Sequence, residues 1–226
     1  MGLEKDTPQC AKCSLKGREK ACLVEAGGLG PVFCPTLTRT KAIQSARDGY
    51  QEEKTSEFFR QSVIQEGSGY ADRDQNPYGV KTRIQEIMEF ASRMNYRRLG
   101  LAFCSGLHRE AGAFADLLEK QGFEVVSVVC KIGCIPKEDL GIQDEEKVAI
   151  GTFETICNPL AQAEVLKEEE TQMNIMLGLC VGHDSLFIQG SHAPVTVLAV
   201  KDRVTGHNPL APLYTVDSYY RRLKRS

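Results

Sequence analysis

The chain has 226 residues, a formal net charge of −2 and a hydrophobic content of 42%. This length provides one ample hydrophobic core, or one core with a small appendage. The near-neutral charge gives no general attraction to nucleic acid or anionic membranes, so we expect partners of neither class.

The compartment and the cysteine count together favour metal or redox chemistry. No apolar run approaches the roughly 20 residues needed to span a bilayer, and residues 1–9 lack the apolar core of a signal peptide. We therefore expect a cytoplasmic protein. The nine cysteines are then not explained by disulfides, because a reducing compartment keeps thiols free and the number is odd.

Residues 1–35 form a predicted Cys-rich metal-binding segment. They show no sustained apolar periodicity, so a bound metal would have to supply the stability that a core normally provides. The segment contains one Cys-x2-Cys pair and two later cysteines. These four residues, here called the N-terminal quartet, are Cys10, Cys13, Cys22 and Cys34.

The metal of the quartet is left open between two alternatives. Four thiolates suit either tetrahedral zinc or an iron–sulfur cluster. Structural zinc more often has two Cys-x2-Cys pairs, and Cys34 is followed by Pro35 as in ferredoxin-type loops. These details favour a cluster, 4Fe–4S, over zinc. The alternative is that the four residues are unrelated free thiols that bind no metal.

Residues 36–96 are predicted to be a helical region. Apolar residues recur at steps of three and four from Val80 to Met94, which indicates one amphipathic helix. Two earlier helices are predicted at Leu37–Tyr50 and Glu52–Gln65.

Residues 97–226 are predicted to be an α/β domain. Apolar strands at 99–103, 123–129, 174–179 and 195–200 alternate with helices at 109–121, 158–170 and 184–189. Such alternation predicts a parallel, Rossmann-like sheet of about four strands with flanking helices. The Cys-rich segment and the helical region precede it.

Cysteines follow the ends of three predicted strands. Cys104, Cys130 and Cys180 come after the first, second and third strands, and Cys157 precedes a helix capped by Asn158. The carboxyl ends of parallel strands form the ligand crevice, and a helix N-terminus stabilises a thiolate. We therefore predict a second metal or cluster site there, with Cys134 as a further candidate. The alternative is that these cysteines only fill the core.

Polar residues gather at the same predicted edge. His183 is a candidate proton donor or ligand, and Asp184 could orient it. The alternatives are a solvated histidine and a simple helix cap. Lys201 and His207 follow the fourth strand, where anionic substrates are commonly held. A simple salt-bridged turn is the alternative interpretation of this loop. Neither a Gly-x-Gly-x-x-Gly nor a Walker motif is present, which disfavours nucleotide binding.

Several motifs in order resemble a known family. They include the quartet, Cys104-Ser-Gly-Leu, Cys157-Asn-Pro, Cys180-Val-Gly-His-Asp-Ser-Leu-Phe and Lys201-Asp-Arg-Val-x-Gly-His-Asn-Pro. Together they look like an uncharacterised domain-of-unknown-function family of candidate metal-binding proteins from anaerobic bacteria and archaea. The resemblance covers nearly the whole chain. It implies metal binding and an anaerobic setting, and it carries no established reaction.

Three functions are compatible with these patterns. The first is an iron–sulfur protein with one or two clusters that acts on a small sulfur-containing or anionic substrate, with a redox partner protein. The second is a zinc-stabilised protein whose crevice thiols do the chemistry, with Cys157 or Cys180 as nucleophile. The third is a non-catalytic metal sensor or carrier. The sequence leaves the oligomeric state open.

Overall fold

The N-terminal part of the chain forms short turns followed by three helices. The computed structural model describes residues 7–225, and the chain divides into two compact units, Met1–Ile64 and Gln65–Ser226. In the first unit, two 3₁₀ turns at Cys10–Lys12 and Gly17–Glu19 precede the helices. These are α1 (Pro35–Thr38), α2 (Thr40–Gly49) and α3 (Glu53–Ser68), the last of which extends past the boundary.

The second unit continues with a small hairpin and an amphipathic helix. Strands β1 (Tyr70–Ala71) and β2 (Tyr78–Gly79) pair antiparallel, and α4 (Arg83–Arg93) follows. Thr82 and Gln85 form a capping box that starts α4, because each side chain accepts a hydrogen bond from the other residue's backbone N–H. The predicted helix is therefore present, with Ile87 and Ala91 buried on its apolar face.

A four-stranded parallel sheet forms the centre of the second unit. Its strands lie in the order β4-β3-β5-β6. β4 is therefore added on one side of β3, and β5 and β6 are added on the other, so the strand order reverses between β3 and β5. The strands are β3 (Arg98–Phe103), β4 (Glu124–Val129), β5 (Met173–Leu177) and β6 (Val195–Ala199). The predicted fold class, a parallel α/β sheet with flanking helices, is confirmed.

Helices cover both faces of this sheet. The remaining helices are α5 (His108–Lys120), α6 (Pro159–Glu168), α7 (His183–Gly190) and α8 (Ala211–Tyr214). Neighbouring residues of β3 enter different core clusters, because side chains alternate across a strand. Leu101 packs in the cluster of α4 and α5, and Ala102 in the cluster of α6 and α7. The result is a three-layer arrangement of helix, sheet and helix.

The start of α6 is fixed by local sequence. Asn158 is the N-cap and its side-chain oxygen accepts a hydrogen bond from the Ala161 N–H at 3.1 Å, while Pro159 occupies the first helical position. This cap matters for the site because it sets the position of Cys157. Within residues 7–225, no helix combines the length and apolar content needed to cross a bilayer.

Candidate functional site

Four cysteines meet at the carboxyl edge of the sheet. Cys104, Cys130 and Cys180 lie in the loops after β3, β4 and β5, and Cys157 directly precedes the cap of α6. These four, here called the crevice cysteines, lie at the point where the strand order reverses, which is where open α/β sheets place ligands. With Gln162, Leu179 and His183 they line a cavity of about 10 Å³.

Cys130 is the buried centre of this group. Its sulfur accepts a hydrogen bond from the Ser105 N–H at 3.3 Å, and its side chain hydrogen-bonds with both Cys104 and Cys157. Its backbone carbonyl also accepts from the Asn158 N–H at 2.7 Å. That last bond ties the residue after Cys157 to the end of β4, so the two thiols are held as neighbours.

Cys157 is the acidic thiol of the site. The hydrogen bond from Cys130 and the charge of Lys131 lower its pKa to about 6, against the opposing effects of burial and Cys180. Its place at the start of α6 favours the negative charge further. Cys157 is therefore mainly a thiolate at neutral pH.

Cys104 has the opposite character. Its hydrogen bond with Cys130 and its burial raise the pKa of its thiol to about 12, although Lys201 acts in the opposite direction. Two cysteines that share one neighbour thus differ in ionisation, because Cys130 stabilises the charge of one and the neutral form of the other. The site therefore holds the thiolate of Cys157 close to the protonated thiol of Cys104.

Three cations surround these sulfurs. Lys131 Nζ donates to the Thr155 carbonyl at 2.6 Å, which holds its charge near Cys157. Arg203 Nη2 donates to Cys180 Sγ at 3.1 Å, and Lys201 hydrogen-bonds with Cys104. The crevice therefore combines soft sulfur donors with positive charge, a setting that attracts small anions.

Gln162 is a residue of the site that the sequence reading missed. It is fully buried, and its Nε2 donates to the carbonyls of Val128 at 2.7 Å and Phe103 at 3.3 Å. Those two carbonyls fix the amide orientation and leave Oε1 without a partner. One feature of the sequence could have identified it. Gln162 is a polar residue on the same face of α6 as the apolar Ala163 and Leu166, and a buried polar residue needs hydrogen-bond partners.

The predicted polar residues fall into two groups. His183 lines the cavity, and its Nδ1 is buried without a partner. Asp184 accepts from the N–H groups of Gly182 and Ser185, so it holds the turn into α7. His207 Nδ1 accepts from the Asp202 N–H at 3.2 Å and holds the loop after β6. Among the described residues, neither Asp184 nor His207 lines the cavity.

The N-terminal quartet lies on local turns. The Cys13 N–H donates to the Cys10 carbonyl at 3.1 Å, and Cys34 caps α1. Cys10 and Cys22 are exposed, and all four thiols are free. No side chain from residue 7 to residue 34 is buried.

Neither cysteine group forms a finished metal site. Across residues 7–225, no three His, Cys, Asp or Glu side chains are arranged so that they could share one ion. Thiolates are suitable donors for zinc or iron–sulfur clusters, so the donor atoms of both cysteine groups suit such a metal centre. Their positions do not place three of them around one ion. Metal binding at either place requires the cysteines to move. Cys134 is exposed and lies beyond the cavity, in a left-handed turn at φ 49°.

Comparison with known proteins identifies similar sequences without a known activity. Residues 34–198 match the sequence model of a family described as a protein of unknown function (DUF1847). The uncharacterised protein MJ0455 of Methanocaldococcus jannaschii is 47% identical over 143 residues, which cover 63% of this chain and 71% of that protein. The family region contains all four crevice cysteines but begins at Cys34, the last member of the quartet.

Proposed function

The chain belongs to the DUF1847 family of proteins of unknown function, and we propose that it performs thiol-based chemistry on a small anionic molecule, with Cys157 as the nucleophile. The observation that supports this most is the convergence of four thiols on one cavity, where Cys130 hydrogen-bonds to Cys157. A thiolate, not a thiol, is the reactive form of cysteine, and this neighbour stabilises it.

The proposed step is attack by Cys157 on a soft electrophilic atom of the substrate. The sulfur electron pair forms the new bond, and the bond to the leaving group breaks with its electrons. His183 lies on the cavity wall and is the proposed proton donor to that group. Lys131, Lys201 and Arg203 would attract the anionic substrate, while Asp184 and His207 would hold the loops around it.

Alkylation with a matched pair of reagents tests this proposal. Iodoacetate and iodoacetamide carry the same reacting group, but only iodoacetate is anionic. We expect Cys157 to be the most rapidly modified cysteine, and the ratio of iodoacetate to iodoacetamide rates to be higher there than at the exposed Cys134. Peptide mass spectrometry of wild type, Cys157→Ser and Cys134→Ser measures both. Slow modification of Cys157, or equal ratios at the two sites, would count against the proposal.

Metal binding by the quartet is the second candidate function. It is supported by the absence of any buried side chain between residues 7 and 34, because such a segment has no core of its own to stabilise it. We propose that its four sulfurs converge when a metal or iron–sulfur cluster binds, so that binding and local folding are coupled. The crevice cysteines are a second proposed location for the same kind of group, possible only after rearrangement.

Anaerobic reconstitution tests the metal proposal. Iron, zinc and acid-labile sulfide would be measured for wild type and for the Cys10→Ser, Cys180→Ser and Cys134→Ser variants. Stoichiometric metal that is lost in Cys10→Ser supports the quartet, and metal lost in Cys180→Ser supports the crevice. Cys134→Ser is the matched control, since it removes one exposed thiol from neither group. Equal metal content in all four proteins would contradict both assignments.

A further inference from the structure

A surface loop of the second unit displays apolar side chains on a fixed frame. This segment, here called the acidic loop, comprises residues 137–154 between β4 and α6. Its base is closed by a bridge between Pro136 and Thr155, and the Lys147 side chain, which is 4% exposed, pairs with two carboxylates of the loop. The large apolar residues that the loop exposes are Leu140, Val148, Ile150 and Phe153. Apolar side chains held in place at the surface are typical of a contact with a partner.

A second segment exposes apolar side chains and has the opposite charge. This segment, here called the basic tail, comprises residues 210–225 and follows β6. Tyr214 is 77% exposed and Tyr219 is 87% exposed, and the other exposed apolar residues are Leu210, Leu213 and Leu223. Four basic residues against one aspartate give the tail a net charge of +3, whereas six acidic residues against two lysines give the acidic loop −4. The small net charge of the chain therefore hides two segments that attract each other.

Within one chain these two segments do not pair with each other. They follow strands at opposite edges of the sheet, with β3 and β5 between those strands. Throughout residues 7–225, each ion pair of the acidic loop stays inside that loop, and the ion pair of the basic tail stays inside the tail. The exposed residues that have no ion-pair partner in this part of the chain include Asp139 and Glu145 in the loop and Arg222 and Arg225 in the tail. Their charges are available to a second molecule.

We infer that two copies of this chain associate through these segments, so that the acidic loop of each copy binds the basic tail of the other. Every copy carries both segments, so a two-fold arrangement makes both contacts at once and closes the assembly. The exposed tyrosines of the tail cover the apolar side chains of the loop, because aromatic residues are the usual anchors of such contacts. The opposite charges around them set the orientation. This contact does not depend on the thiol chemistry proposed for the crevice.

Charge reversal followed by mixing tests this inference. The loop variant is Asp139→Lys/Glu145→Lys, and the tail variant is Arg222→Glu/Arg225→Glu. Sedimentation velocity should show that the wild type forms a dimer as its concentration rises, and that salt weakens the dimer. The dissociation constant of each variant alone should be roughly a hundredfold higher, since like charges then face each other. An equimolar mixture should form a heterodimer, because the reversed loop meets the reversed tail and the unaltered tail meets the unaltered loop.

Asp116→Lys/Glu119→Lys is the matched control, since it changes the charge by the same amount on exposed positions of α5 and should leave the dimer unchanged. A wild type that stays monomeric at every concentration would overturn the inference. Variants that dimerise like the wild type, or a mixture without heterodimer, would also overturn it. So would a monomeric chain whose tail binds anionic vesicles or nucleic acid instead. If a variant does not fold by circular dichroism, carbodiimide cross-linking of isotope-labelled and unlabelled wild type decides: links from Lys224 to loop carboxylates of the other copy support the contact, and links within one chain alone contradict it.

Discussion

The two cysteine groups of this protein contain the same residue in opposite surroundings. The N-terminal quartet lies on turns in a stretch without a buried side chain, and two of its thiols are exposed. The crevice cysteines lie at the ends of buried strands and beside a capped helix, in contact with one another. Surroundings therefore decide what a cysteine can do. An exposed group can gather around a metal, whereas a packed group has its ionisation set by its neighbours.

The largest effect is expected at the quartet. If metal holds that segment together, Cys10→Ser should abolish binding there and make residues 7–34 sensitive to protease, since structural zinc supplies about 10–16 kcal/mol in small peptides. Residues 65–226 should keep their thermal transition, because they have their own core. Metal analysis, limited proteolysis and circular dichroism measure these changes. Full metal content with an intact N-terminus would contradict the expectation.

A smaller effect is expected from replacing each of two glycines with alanine. Gly178 follows β5 at φ 68°, and a Cβ there would lie 2.1 Å from Leu107 Cδ1. Gly178→Ala should cost about 3 kcal/mol, since it adds steric overlap to left-handed strain. Gly27 also has positive φ, at 74°, but a Cβ there meets nothing within 4 Å. Gly27→Ala should cost about 1 kcal/mol.

Urea unfolding followed by circular dichroism compares these two variants. Gly178→Ala should also slow the reaction of Cys157 with iodoacetamide, because Leu107 and Cys104 border the same turn. Equal losses of stability for both variants would mean that the crevice is packed no more tightly than the quartet.

The smallest effects concern the neighbours of Cys157. Cys130→Ala should raise the pKa of Cys157 more than Lys131→Met does, because the hydrogen bond from Cys130 is the main cause of the lowered pKa. Both variants remove an interaction that favours the thiolate, so both should reduce alkylation at pH 6. The pH profile of each variant provides the comparison. A larger shift in Lys131→Met would mean that charge, not hydrogen bonding, controls the site.

Much of the fold could be predicted from the sequence. Strands β3 to β6 and the helices between them follow from apolar runs, caps and glycine stops, and the predicted boundaries differ from the structure by a few residues. The meeting of Cys104, Cys130 and Cys180 followed from the predicted parallel arrangement of the strands, because the carboxyl ends of parallel strands share one edge.

The chemistry of the site could not be predicted in the same way. Cys104 and Cys157 both flank Cys130, and burial raises the pKa of both thiols. The direction of the hydrogen bond with Cys130 separates their pKa values, and that direction cannot be read from a periodic pattern along the chain. In the sequence Gln162 resembles an ordinary helix residue. Only the structure shows that its amide donates to carbonyls of both β3 and β4. The roles of Asp184 and His207 also depended on loop geometry, since each bonds to nearby backbone. The predicted metal sites and their ligands stay predictions.

The pH profile of Cys157 alkylation shows most directly whether Cys157 is the reactive thiolate of the crevice. Because the lowered pKa is about 6, the thiolate fraction should rise through pH 6 and level off near pH 7, and acidification below pH 6 should remove it. A less basic thiolate is also less nucleophilic, so the advantage over an ordinary cysteine is about twofold at pH 7 but about twentyfold at pH 5. We expect iodoacetamide rates at Cys157 to reach a plateau, with a midpoint near pH 6. A rate that still rises tenfold for each pH unit up to about pH 8 would contradict it.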